Sequence, residues 1–282
     1  MSSSWDLEQV NKSCSDVLAG NGLKTVIFRP FDRYKKSKSA LIKAGRYEEA
    51  LVAADEESLR HHSHRRLGNK VLALLAMKRF AEAASLSKHL IELDRKAAND
   101  GDYLHLGIAL WNQGYYDEAV SAWKESYVAA YTDAAGGVHV PLLLLYASIR
   151  LGRQDLRVEA TERICHIMDS STPSDAIGHS LQPPIMNWPG PLALFMCGRM
   201  AQTELRSFVT RVGLPDALRC RYNCQATFFI GVDRLARGDT AGFCLAMKEA
   251  CSERGPAMIE AEFYLAQAES ENCASRSHKF AE

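Results

Sequence analysis

An aromatic side chain recurs in this sequence at a nearly constant interval, each time between a turn and an alanine. Tyr47, Phe80 and Tyr116 lie 33 and 36 residues apart, in the segments 45–50, 78–83 and 114–119. A period of about 34 residues is typical of helix pairs that stack on one another, because one pair alone cannot bury its apolar face. The repeat therefore predicts an all-α chain made of consecutive helix pairs.

The residues around each aromatic suit a turn between two closely packed helices. Gly45 and Gly114 can adopt the left-handed conformation that ends a first helix. Ala50, Ala83 and Ala119 are small enough to let the second helix approach the first closely. In each segment we expect the aromatic ring to fill the space between the two helices.

The third segment carries the fullest set of these features. Its first helix has Leu106, Gly107 and Leu110, its turn has Gly114, and its second helix has Tyr116, Ala119 and Trp123. This pattern resembles the tetratricopeptide repeat family. The resemblance implies a right-handed superhelix, or solenoid, of antiparallel helix pairs that binds peptides or helices of other proteins on its concave face.

The repeat and its interruptions divide the chain into five parts. We expect residues 1–30 to form an N-terminal helix and a lead-in, and residues 31–168 to form three good repeat units and a degenerate fourth. Proline and serine predict a loop over 169–191. An atypical helix pair, a last repeat-like unit and a terminal helix should follow over 192–269, and a tail over 270–282.

The C-terminal third carries a second, narrower resemblance. Trp188-Pro189, Gly238-Asp239 and the segments 224–231 and 262–265 are similar to the C-terminal half of the NlpI group of bacterial lipoproteins. That resemblance implies an adaptor role, since members of the group bring cell-wall hydrolases to their partners. This sequence departs from the group because it shows no N-terminal leader and no lipid-anchor cysteine. We therefore expect a cytoplasmic protein.

The tetratricopeptide resemblance implies that the first helix of each pair lines a groove for a partner. Its inward positions give the predicted groove Lys35, Asn69, Leu72, Leu75, Leu104, His105, Ile108, Trp111, Tyr146 and Arg150. Aromatic anchors such as Trp111 and Tyr146 favour a docked peptide or amphipathic helix. An apolar row must be covered by something, so the N-terminal helix or the last helix of this chain is the alternative occupant.

These features predict a protein-binding scaffold or adaptor that catalyses no reaction. The alternative is a sensor of a peptide signal, or a regulator of a partner enzyme, that acts by conformational change. Self-association is a further expectation, because the end of a solenoid needs a cap and Phe263, Tyr264 and Leu265 are apolar residues of the terminal helix.

Charge and apolar content exclude several classes of partner. Thirty-four Lys and Arg residues balance thirty-four Asp and Glu residues, so no overall field favours nucleic acid or an anionic membrane. No segment has the roughly 18 apolar residues that a membrane span needs. We expect neither a membrane span nor a nucleic-acid partner.

Histidines and cysteines are the remaining candidates for chemistry. His61, His62 and His64 have no carboxylate or thiol at ligand spacing, so we interpret them as polar residues of a helix corner. Four cysteines, Cys220, Cys224, Cys244 and Cys251, have a spacing at which a zinc site can be imagined, but apolar helices favour reduced, buried thiols there. The sequence predicts no cofactor, no metal and no catalytic residue.

Overall fold

The computed structural model describes residues 38–60, 64–93, 100–129, 133–170 and 184–279, and within these ranges the regular elements are all helices. This confirms the predicted all-α class. The predicted N-terminal helix, Lys35 and residues 171–183 of the predicted loop lie outside the described residues. None of the described helices is long and apolar enough to cross a membrane.

The helices follow one another with short connections. The first eight are α1 (Lys38–Lys43), α2 (Tyr47–Arg60), α3 (His64–Ala76), α4 (Phe80–Leu93), α5 (Asp100–Asn112), α6 (Tyr116–Glu125), α7 (His139–Leu151) and α8 (Gln154–Ser170). The next five are α9 (Gly190–Met196), α10 (Gln202–Thr210), α11 (Asp216–Ala236), α12 (Thr240–Ala250) and α13 (Ala261–Lys279). Short 3₁₀ segments lie at Ser126–Val128, Pro184–Met186 and Pro256–Ile259.

The same turn closes α1, α3, α5, α7, α9 and α11. One residue has a positive φ, and the N–H of the next residue donates to the carbonyl five residues back, as Tyr115 does to Leu110 at 3.0 Å and Arg79 to Leu74 at 2.9 Å. This turn satisfies carbonyls that a helix end leaves open and starts the next helix at once. Gly45 and Gly114 adopt the left-handed conformation predicted for them.

The two helices of the third pair, α5 and α6, pack very closely at a glycine. A Cβ atom placed on Gly107 would lie 2.1 Å from Nε1 of Trp123, which is far inside contact distance. Trp123 is fully buried, and its Nε1 donates to the carbonyl of Leu104 at 3.4 Å. The absence of a side chain at Gly107 therefore makes room for the indole between the two helices.

The C-terminal part of the chain packs back onto the first helix pairs. The 3₁₀ segment Pro256–Ile259 contacts α1 and α3, and α13 contacts α5. Tyr264 donates to the carbonyl of Met258 at 2.5 Å and lies 3.5 Å from the carbonyl of Leu72. The phenol of Tyr47 also reaches the sulfur of Met258, at 3.3 Å. The contacts of Tyr264 with Leu72 and of Tyr47 with Met258 join residues about 190 to 210 positions apart in the sequence.

The last helix continues beyond Glu269, where the sequence placed its end, as far as Lys279. Two contacts hold this extension. Cys273 forms a disulfide with Cys244 of α12, and Glu271 forms an ion pair with Lys78 at 2.5 Å. The residues between Ser270 and Lys279 are mostly polar, so their sequence carries no periodic apolar signal of a packed helix.

Candidate functional site

The apolar residues of the predicted groove lie in the interior. Six are buried: Leu72, Leu75, Leu104, Ile108, Trp111 and Tyr146. Asn69 and His105 are half-buried on α3 and α5. Lys35 lies outside the described residues. In the structure, the inward residues of α3, α5 and α7 therefore pack together in the core.

The last helix covers this row. Tyr264 of α13 reaches the backbone at Leu72, and the carboxylate of Glu269 accepts a hydrogen bond from the phenol of Tyr146 at 2.6 Å. Burial and the neighbouring Glu269 raise the pKa of Tyr146 well above its usual value, so the phenol stays protonated and donates. The last helix therefore covers the row at Leu72 and Tyr146. Phe263, Tyr264 and Leu265 are themselves buried and do not offer an exposed face to a second copy.

A cleft of about 300 Å³ remains beside α13, at the turn ends of α3, α5 and α7. We call it the α13 cleft. Its lining includes Lys78, Phe80, Trp111, Asn112, Tyr116, Arg150, Tyr264, Gln267, Glu269, Glu271 and Asn272. Its volume is at the lower end of ligand pockets, which typically hold about 300–1,000 Å³. Two residues of the predicted groove, Trp111 and Arg150, reach this cleft.

Aromatic rings form one wall of the α13 cleft. The ring centroids of Trp111 and Tyr116 lie 4.7 Å apart in an edge-to-face arrangement, and Trp111 also stacks on Trp123 with centroids 5.4 Å apart. Trp111 is 6% exposed, whereas Tyr116 is 43% exposed. Part of the Tyr116 ring therefore packs on Trp111, which holds it in position, and the rest is an aromatic surface that is open to a ligand.

A fixed guanidinium also lines the α13 cleft. Nε of Arg150 donates to Glu269 at 2.6 Å, and the side chain is 23% exposed. Burial lowers the pKa of Arg150, but the attraction of Glu269 outweighs it, so the guanidinium is charged in any case. The guanidinium also contacts the phenol of Tyr146, which fixes its position further. A fixed guanidinium is suited to carbonyl and carboxylate acceptors.

Lys78 contributes to the same cleft at a conformational cost. It stands at the turn position that glycine occupies after α1, α5 and α7, and its φ of 59° is left-handed. A non-glycine residue in this region costs about 1–2 kcal/mol. Strained residues persist where the surrounding structure or the function requires their side chain. The Lys78 side chain meets Glu271 of α13 across the cleft.

A second polar network joins α7, α11 and α13 away from the cleft. Nε2 of His139 lies 2.8 Å from one oxygen of Glu262, and Gln225 donates to the other at 3.1 Å. The indole of Trp188 donates to Gln225 at 2.6 Å. Because Glu262 is fully buried and both of its oxygens are bonded, we assign this network to holding helices together.

Two histidines near this network differ in pKa. For His139, burial lowers the pKa, but the charge and hydrogen bond of Glu262, with Asp133 and Glu260, outweigh burial and raise it to about 9. For His105, burial and the charge of His139 both lower the pKa, to about 4. His139 is therefore charged at neutral pH, and His105 is neutral.

The expectation of reduced thiols is wrong for two cysteines. Cys244 and Cys273 form a disulfide with an S–S distance of 2.10 Å, which removes Cys244 from the imagined set of zinc ligands. Burial raises the pKa of the Cys224 thiol well above its usual value. In the part of the chain that the structure describes, no group of three histidines, cysteines or carboxylates is placed to hold a metal ion.

Sequence reasoning missed the residues that α13 adds to the cleft, chiefly Gln267, Glu269 and Glu271. The only signal in the sequence was the break of the turn pattern at Lys78, where glycine is expected. The chain matches no protein-family model, and no curated protein matches it closely enough to indicate a relationship. The functional assignment therefore depends on the residues and geometry described above.

Proposed function

We propose that the chain is a non-enzymatic protein-binding scaffold or adaptor of the tetratricopeptide type, which holds a peptide segment of a partner in the α13 cleft. The repeated turn after six of its helices supports this type of repeat, and so does the contact of each helix with the next from α1 to α8 and from α9 to α13. In this proposal the helix pairs form a right-handed superhelix. In this superhelix α13 occupies the inner row, so the partner binds in the α13 cleft and not in the row.

The observation that carries the proposal is that Tyr116 and Arg150 line one cleft. Tyr116 offers nearly half of its surface to solvent although it packs on a buried indole. Arg150 is held by Glu269 and is partly exposed in the same cleft. Partly exposed tyrosine and arginine side chains on a rigid support are the residue types that dominate protein-binding energy.

The chemistry of the cleft favours a peptide over an ionic ligand. Lys78 and Arg150 are balanced by Glu271 and Glu269, so the cleft has no net charge to attract a simple ion. Arg150 and Asn112 offer polar groups to the backbone of a peptide, and Tyr116 offers a surface for one apolar side chain. No histidine, cysteine, serine or threonine is among the described residues that line the cleft, and its lysine and two glutamates are held in ion pairs.

Selection from a random peptide library tests the proposal. The immobilised protein should enrich peptides that share one aromatic or large aliphatic residue, and Arg150→Lys should weaken their binding at least fivefold because lysine lacks the planar fork of donors. Arg153→Lys is the matched control, since Arg153 lies one turn away and pairs with Asp117 and Asp155 outside the cleft. Failure to enrich any peptide, or equal losses in both variants, would contradict the proposal.

A further inference from the structure

A disulfide lies directly beyond the wall that α13 contributes to the cleft. Glu271 and Asn272 are the last residues of α13 in the lining, and the next residue, Cys273, is bonded to Cys244 of α12. Both cysteines are half-buried, and Leu245, Asn272 and Ala274 beside them are exposed. A small reductant can therefore approach this bond from solvent.

The end of α13 has few other anchors. Up to Glu269 its inward residues are buried and bonded, through Glu262, Tyr264 and Glu269. After Glu269, Glu271, Asn272, Ala274 and Ser275 are exposed. Besides the packing of α13 against α12, the contacts described for this end include the exposed ion pair with Lys78 and the approach of Cys251 to Ser270. Exposed ion pairs contribute little to stability, so the disulfide is the strongest restraint on this end.

We propose that the Cys244–Cys273 disulfide is a redox switch for the α13 cleft. In the oxidised protein it holds the end of α13 against α12, which keeps Glu271 and Asn272 in the cleft wall. Reduction releases this end while residues 261–269 stay packed, and the wall is lost. The release of the end of α13 does not depend on the proposed function, whereas the loss of ligand binding rests on it.

The chemistry of the switch is thiol–disulfide exchange with a dithiol reductant. A thiolate of the reductant attacks one sulfur of the bond, which breaks and leaves a mixed disulfide and one cysteine thiolate. The second thiol of the reductant then displaces the other cysteine. Two electrons and two protons pass to the protein, which gains two thiols, and the reductant becomes a disulfide.

Hydrogen exchange of the full chain tests the structural step, with dithiothreitol as the reductant. Addition of dithiothreitol should speed amide exchange over residues 270–279 by tenfold or more and leave residues 261–266 unchanged. The double variant Cys244→Ser, Cys273→Ser should exchange rapidly with or without reductant. Cys165→Ser, at a half-buried free thiol on α8, should behave as the wild type. Equal exchange over 270–279 in oxidised and reduced protein would overturn the proposal.

Peptide binding tests the consequence separately. A peptide selected from the random library on oxidised protein should bind at least fivefold more weakly after reduction, and equally weakly to the double serine variant in either condition. If exchange changes and affinity does not, the switch does not control the cleft and the proposal is overturned. If no peptide is enriched, the proposed function fails, and the exchange experiment still decides whether the disulfide holds α13.

Discussion

At the scale of single residues, His139 of α7 and His105 of α5 differ in charge at neutral pH. His139 is held in its charged form by the buried carboxylate of Glu262, whereas burial and the charge of His139 keep His105 neutral. A difference of one pKa unit corresponds to about 1.4 kcal/mol between protonation states. The polar network around Glu262 should therefore make stability depend on pH.

Replacement of His139 by glutamine should remove part of this dependence. The folded pKa of about 9 lies above the ordinary value of 6.5, so the contribution of the ion pair is complete below pH 6.5 and is lost as pH rises through 9. The wild type should lose up to about 3 kcal/mol more than His139→Gln between pH 6 and pH 9.5. Urea unfolding of both proteins across this range measures the difference. Parallel pH profiles would show that the pair does not exist in solution.

The protein should be more stable with glycine at position 78 than with any other residue there. Glycine adopts the left-handed φ without strain, and the exposed pair with Glu271 contributes only about 0–1 kcal/mol. We expect Lys78→Gly to raise the free energy of unfolding by about 0.5–1 kcal/mol, after allowance for the greater freedom of the unfolded chain. Lys78→Ala keeps the strain and loses the pair, so it should not stabilise. Chemical unfolding of the two variants distinguishes them, and a stabilised alanine variant would contradict the role of strain.

At the scale of helices, Gly68 of α3 and Gly107 of α5 lie in the first helices of two successive pairs but differ in how closely a neighbouring helix packs on them. Alanine at Gly107 would collide with the indole of Trp123, whereas alanine at Gly68 of α3 would meet no atom of the described residues within 4 Å. We expect Gly107→Ala to destabilise the protein by about 2–3 kcal/mol, as overpacked cores do. Gly68→Ala should be neutral or stabilising by up to about 1 kcal/mol. Thermal unfolding of both variants is the measurement, and similar changes in the two would contradict the packing of Trp123.

The helices could be predicted from the sequence to the extent that their signals are local. The aromatic, the small residue and the turn glycine of each unit lie within about ten residues, so the turns at Gly45 and Gly114 could be predicted from the sequence. The position of α13 could not be predicted, because its contacts with Leu72, Tyr146 and Lys78 join residues more than 120 positions apart. The spacing of apolar residues indicates that one face of a helix is buried, but it does not indicate which other helix covers that face.

The disulfide was missed for a related reason. Cys244 lies between apolar residues and Cys273 lies in a polar segment, so neither sequence neighbourhood indicates the other. The pairing depends on the packing of α13 against α12. Spacing along the chain could therefore suggest thiols on one helix face but could not identify the partner of each.

At the scale of the whole molecule, within the part of the chain that the structure describes, the last helix covers the apolar row at Leu72 and Tyr146 and also lines the cleft beside it. Tyr116 and Arg150 remain accessible at the rim of the row. We propose that this rim holds a partner peptide.

The most direct measurement of that claim is the affinity of one library-selected peptide for two tyrosine variants. Tyr116 lines the cleft, and its neighbour Tyr115 is 53% exposed and does not. We predict that Tyr116→Ala weakens binding about tenfold, which is about 1.4 kcal/mol, and that Tyr115→Ala stays within about twofold of the wild type. If the two variants lose affinity equally, or if Tyr116→Ala binds as the wild type does, the α13 cleft is not the binding site.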